Sequence, residues 1–157
     1  REARNHNLML HNIIKILIIA LLGLFAYAGY TTIAKANNAV SLGQVTAENL
    51  LSSQANGVLV IDIRHEDEWR DTGVIEGAKT LTAFQKNGQI HPDFQQKLFS
   101  SVPSKTTPIL LYCRSGNRTN AIGNALITQL GFSQVSHLST GIAGWIREGY
   151  ETVAFKH

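Results

Sequence analysis

The chain has 157 residues, 44% of them hydrophobic and 16% charged, which is ordinary for about one globular domain. Its net charge of +3 lies entirely in the first 36 residues, where Arg1, Arg4, Lys15 and Lys35 stand against Glu2; the remainder holds ten basic and ten acidic residues. A basic charge spread over a fold would point to nucleic acid, but this one is confined to an end, so nucleic acid is excluded as a partner.

Residues 13 to 33, "IIKILIIALLGLFAYAGYTTI", form an apolar stretch broken by Lys15 and two threonines and followed by "AKA" at 34 to 36. A basic start, an apolar stretch and a small-residue site are the parts of a secretory signal. The uninterrupted run from Ile16 to Tyr30 is short for a membrane span of about 20 residues, and residues 13 to 33 just reach that length. Residues 1–36 are therefore expected to be a signal peptide cut after Ala36 or a retained membrane anchor. Met9 is the expected true start. Residues 37–157 then form a domain outside the cytoplasm, periplasmic if cleaved, with membrane contact only through the N-terminal segment.

Past Ala36, strand and helix signals alternate. Thr46 is placed to cap a helix over "AENLLSS". "VLVID" (58 to 62), "ILLY" (109 to 112) and "VSHL" (135 to 138) are short apolar runs, the pattern of strands covered on both faces in a parallel sheet. "HPDFQQKLF" puts Pro92 at a helix start with Phe94 and Leu98 on one face. Ala121, Ile122, Ala125, Leu126 and Leu130 recur at helical spacing and Gly131 closes that helix. "GIAGWIREGY" predicts a short last helix ended by Gly149. Strands alternating with helices predict an α/β sandwich with a mainly parallel sheet and right-handed crossovers.

The chain has one cysteine, in "LLYCRSGNRTN". An exported protein ordinarily pairs its cysteines, and a lone one makes no internal disulfide, so Cys113 is either an inert buried thiol or a reactive one. It follows an apolar strand and precedes a helix, the position at which α/β sheets bind ligands. The turn from Cys113 to Arg118 gathers backbone N–H groups at a helix start, which with Arg114 or Arg118 favours a thiolate over a thiol. Ser115 and Asn117 could cap the helix or touch a ligand. His65, His91 and His137 are too far apart in sequence to read as metal ligands, so no metal is expected. Trp69 and Trp145 read as packing residues.

"CRSGNR" after an apolar strand resembles the active-site loop of the rhodanese sulfurtransferases. "VLVIDIRHEDEWRDTGVIEGA" is similar to that family's first signature, through Asp62, Arg64, Glu68, Trp69, Gly73, Ile75, Gly77 and Ala78. "STGIAGWIREGY" is similar to its closing signature, through Gly141, Gly144 and Trp145. The resemblance covers residues 40 to 153, with departures at Val74 and Glu76 that bear on the rigidity of that turn, and it is nearest to the small periplasmic single-domain members. It implies a three-layer sandwich around a sheet of about five strands. It also implies sulfur transfer without a cofactor, from a small anionic donor such as thiosulfate to a thiophilic acceptor such as cyanide, a thiol or a protein, through a persulfide on Cys113. The amides of Arg114, Ser115, Gly116, Asn117 and Arg118 would hold the anion, and Asp62 and Arg64 would support the loops. An exported module that carries persulfide or docks on a protein without turnover is the alternative. Phosphatase or arsenate reductase chemistry is opposed by the four-residue spacing between Cys113 and Arg118 and by the lack of a second cysteine.

Overall fold

In the computed structural model the described residues are Lys15, residues 17–28 and residues 40–156. The expected start at Met9, the small-residue site at 34–36 and the boundary after Ala36 lie outside them. The chain divides into two units between residues 39 and 40. In the first, residues 17–28 are helical (α1), and Leu17, Ile18, Leu21, Leu24 and Phe25 are exposed. Among the described residues, no helix is long and apolar enough to cross a membrane.

The second unit runs β1 (Gly43–Val45), α2 (Ala47–Ala55), β2 (Leu59–Asp62), α3 (Glu66–Thr72), β3 (Lys79–Thr80), α4 (Phe94–Ser101), β4 (Ile109–Tyr112), α5 (Asn117–Thr128), β5 (Val135–Leu138) and α6 (Gly141–Arg147). The five strands form one sheet in the order β1-β5-β4-β2-β3, and every pairing is parallel. The expected α/β sandwich is present, and its sheet is wholly rather than mainly parallel. β4 is the middle strand, buried along all four residues. Alternation along the strands divides the core in two. Ile61, Ile109, Leu111 and Val135 face Leu98 of α4 and Ile122 and Leu126 of α5. Val60, Leu110, Tyr112 and Leu138 face Leu50 of α2 and Ile142 and Trp145 of α6. Each such fully buried aliphatic side chain contributes roughly 1.5–3 kcal/mol of transfer free energy.

Local signals reproduce most of these elements. The Thr46 hydroxyl accepts the Asn49 N–H at 3.2 Å and caps α2. Beyond α5, Gly131 N–H donates to the Ile127 carbonyl and Phe132 N–H to the Leu126 carbonyl, the paired bonds that satisfy a helix end. Several elements depart from expectation. Val58 is not in β2, because its N–H donates to the Ser53 carbonyl and closes α2. Pro92 lies in a turn in which Phe94 N–H donates to the His91 carbonyl, so α4 starts two residues later than expected. The edge strands β1 and β3 carry no apolar run and exist through their ladders to β5 and β2.

The turn at Val74 and Glu76 is tied down despite its departures from the resembled pattern. Val74 exchanges two backbone hydrogen bonds with Val153, both 2.9 Å, and the Glu76 carbonyl accepts from the Gln54 amide at 2.6 Å.

Candidate active site

Cys113 follows the last residue of β4, at the carboxyl end of the middle strand, and is 1% exposed. The expected six-residue turn is four residues long: Asn117 and Arg118 already belong to the first turn of α5. Gly116 makes this tight entry at φ +89°, where an added Cβ would collide with the Ser139 carbonyl.

The start of α6 orients the loop. Ile142 N–H donates to the Cys113 carbonyl at 2.8 Å and Ala143 N–H to the Arg114 carbonyl at 3.0 Å. Gly141 permits this approach, since a Cβ there would strike the Arg114 peptide. With those carbonyls engaged by α6, the loop keeps its own amides for something else. Gly116 N–H points at the Cys113 sulfur, 3.2 Å away. The N–H groups of Arg114, Ser115, Asn117, Arg118 and Thr119 have no acceptor among the described residues. No side chain caps α5: Ser115 and Asn117, both candidates for that role, are exposed and make no cap bond. An uncapped helix start with a nest of free amides is an anion cradle.

One polar side chain lies beside the sulfur and a second lies behind the first. Thr119, fully buried in the first turn of α5, has its hydroxyl 3.7 Å from Cys113 Sγ, 2.9 Å from the Gly116 carbonyl and 2.9 Å from Nδ1 of His137 on β5. Sequence reasoning missed both. The available signal was a histidine inside a short strand with apolar ends.

The Arg118 guanidinium makes two hydrogen bonds to Glu68 of α3, at 2.7 and 2.6 Å. Hydrogen bonding to Glu68 raises Arg118 above its ordinary range, and the nearby Cys113 sulfur adds to the effect. Burial pushes the Glu68 carboxyl up, but the hydrogen bonds from Arg118 and from the His65 N–H outweigh it and hold the carboxyl below its usual value. A depressed carboxyl contributes stability in full above its unfolded value of about 4.3 and loses it as pH falls through the lower folded value. Glu68→Gln is therefore expected to cost about 1 kcal/mol at pH 7. Melting temperatures of the two proteins should converge as the pH is brought down through the folded value, and a gap that stays constant down to acid pH would refute this linkage.

Arg114 is exposed, and its guanidinium has no partner among the described residues. It borders a cavity of about 350 Å³ between α3 and α6, lined also by Arg64, Glu68, Asp71, Ile142 and Ile146. Asp62 and Arg64 do not reach the sulfur. They form a buried pair at 2.7 Å. Arg64 also donates to the Thr72 hydroxyl and the Gly73 carbonyl, both at 2.7 Å, so the pair fastens the C-terminal end of α3 to the end of β2. Trp69 and Trp145 are buried in packing, the second with its Nε1–H on the Glu151 carbonyl at 2.8 Å. Among the described residues, no group of three His, Cys, Asp or Glu side chains is arranged to hold a metal ion.

Residues 46–148 match the family model of the rhodanese-like domain. A crystal structure from M. tuberculosis superposes with a TM-score of 0.57 at 23% identity, over 70% of this chain and 96% of that one. The solution structure of the polysulfide-sulfur transferase homodimer from Wolinella succinogenes does so with a TM-score of 0.55 at 18% identity, over 83% and 90%. Both are likenesses of fold. In sequence, a tRNA uridine(34) hydroxylase from Chlamydia pneumoniae is 27% identical over 96 residues, which are 59% of this chain. The chain spans only 27% of the length of that relative.

Proposed function

Because this chain belongs to the rhodanese-like domain family, we propose that it is a sulfurtransferase that carries sulfane sulfur on Cys113. The observation that supports this most is the Cys113 sulfur facing Gly116 N–H inside a loop whose other amides are unpaired. That is a place for a thiolate and for the terminal sulfur of a persulfide, both anions. In the first half-reaction the thiolate attacks the outer sulfur of thiosulfate; a sulfur–sulfur bond to Cys113 forms as the donor's own breaks, and sulfite leaves with the bonding pair. In the second, cyanide attacks the terminal sulfur, thiocyanate leaves and the thiolate returns. No net electron or proton is required, and the kinetics are ping-pong.

The amides from Arg114 to Thr119 are already in place before charge develops, the condition under which such donors are most effective. Arg114 supplies an uncommitted cation for an anionic donor. Arg118 acts with Glu68 as a fixed wall, since moving it would leave a part-buried carboxylate unpaired. The polysulfide of the Wolinella polysulfide-sulfur transferase carries sulfane sulfur, as thiosulfate does. The test is intact mass after exposure to thiosulfate: one sulfur atom is gained and is lost again to cyanide. An unchanged mass would defeat the enzyme reading and favour a docking module.

The proposal extends to location. Exposed apolar side chains along α1, after a basic start, support export of the domain as a cleaved or anchored product. Cell fractionation with N-terminal sequencing is expected to find the domain outside the cytoplasm. A cytoplasmic product with residues 13–33 intact would overturn that.

A further inference from the structure

His137 is 4% exposed on β5, and its Nε2 is one of two buried side-chain polar atoms without a partner among the described residues. The sulfur-transfer steps above give it no task. Its Nδ1 is 2.9 Å from the Thr119 hydroxyl, which is the group beside the Cys113 sulfur.

A hydroxyl has one proton, and three acceptors surround this one: the Gly116 carbonyl at 2.9 Å, Cys113 Sγ at 3.7 Å and, if unprotonated, His137 Nδ1. Were the imidazole proton on Nε2, Thr119 would spend its proton on Nδ1 and have none for the carbonyl or the sulfur. The buried Nε2–H would in addition be a donor with no acceptor, the more costly kind of orphan. With the proton on Nδ1 every donor is matched and only a lone pair is left at Nε2. Burial lowers His137 below its ordinary value, in keeping with a neutral ring. The strands beside it offer nothing that titrates, because its neighbours across the sheet are Gln44 and Leu111.

We propose that His137 is a positioning residue for the nucleophile. Its Nδ1–H donates to the Thr119 hydroxyl and thereby makes that hydroxyl an obligate donor, its proton on the Gly116 carbonyl when Cys113 is a thiol and turned to the sulfur when Cys113 is an anion. The relay adds a side-chain donor to anionic sulfur beside the Gly116 N–H. The other charged groups near the sulfur are Arg118, held by Glu68, and the exposed Arg114; neither bonds to Thr119 or His137. The inference takes from the proposed function that Cys113 is the nucleophile.

Since Cys113 is the only cysteine, the rate of iodoacetamide alkylation against pH reports this thiol alone. Thr119→Val is expected to raise the midpoint of that profile by about one pH unit, the scale of a lost hydrogen bond to a charged form. Thr119→Ser should leave it in place. His137→Phe should raise it by a smaller step, His137→Asn should restore it through an amide N–H, and Thr119→Val with His137→Phe should go no further than Thr119→Val alone. A midpoint unmoved in folded Thr119→Val, or additive shifts in the double variant, overturns the relay. Long-range ¹⁵N correlation spectra of the wild-type imidazole give a second measurement that no folding defect can confuse: an Nδ1–H tautomer is expected, and an Nε2–H tautomer refutes the proposal. Alkylation does not depend on any donor. Failure to gain sulfur from thiosulfate with the alkylation pattern intact therefore counts against the sulfurtransferase reading and leaves the relay standing.

Discussion

Cys113→Ser is expected to gain no mass from thiosulfate and to turn over at the uncatalysed background, where the wild type gains one sulfur atom and loses it to cyanide. The reason is electronic rather than steric. A serine hydroxyl is not ionised at neutral pH, and nothing in the loop is placed as a base to take its proton: the polar neighbours of the sulfur are the Gly116 N–H, the Thr119 hydroxyl and the Arg118 guanidinium, none of which is a base. An amide nest stabilises an anion that already exists; it does not make one from an alcohol. The side chains are of similar size, so the variant should fold. A serine variant that still accepts a cyanide-labile sulfur would remove Cys113 from the chemistry, and one that fails to melt cooperatively would make the comparison one of folding, which circular dichroism decides.

Asp62→Ala is expected to produce the largest loss of stability of any single change outside the hydrocarbon core. Asp62 is fully buried and Arg64 is 1% exposed. The carboxylate accepts from Arg64 Nε at 3.0 Å, from Nη2 at 2.7 Å and from the Arg64 N–H at 3.0 Å, and the guanidinium lies over the Tyr112 ring, 5.8 Å from its centroid. Deleting one member of such a pair leaves a buried, uncompensated charge and costs about 3–5 kcal/mol. A domain of this size typically has only about 5–15 kcal/mol to lose, so the melting temperature should fall by about 10–20 °C. Replacing both residues, with Asp62→Leu and Arg64→Met, should recover much of the loss because no charge is then stranded. A change of less than about 2 °C in Asp62→Ala would mean that water reaches the guanidinium. Loop closure should suffer with stability, because Arg64 holds the Thr72 and Gly73 end of α3, and α3 carries Glu68 to Arg118.

What the amino-acid sequence determined by itself is whatever depends on neighbours a few residues apart. "ILLY" delimited β4 to the residue because a strand buried on both faces tends to be apolar throughout, and "VSHL" delimited β5 by its apolar ends. Thr46 and Gly131 marked helix ends because capping is a bond between near neighbours. The lone cysteine between a buried strand and a glycine turn pointed to the loop, and the three matched motifs pointed to the family. The tertiary structure alone decided the rest. β1 and β3 have two or three residues with no apolar pattern, and they are strands only because β5 and β2 offer free edges. Ten acidic residues follow position 36, and nothing local selects Glu68 as the partner of Arg118 fifty residues away. Packing α3 against the start of α5 does. The amides of α6 that take up the Cys113 and Arg114 carbonyls, and the His137 imidazole that meets Thr119 across the α5–β5 contact, are chosen in the same way. A buried polar group must find a partner, and which partner lies within reach is a property of how the layers stack, not of the residues on either side of it.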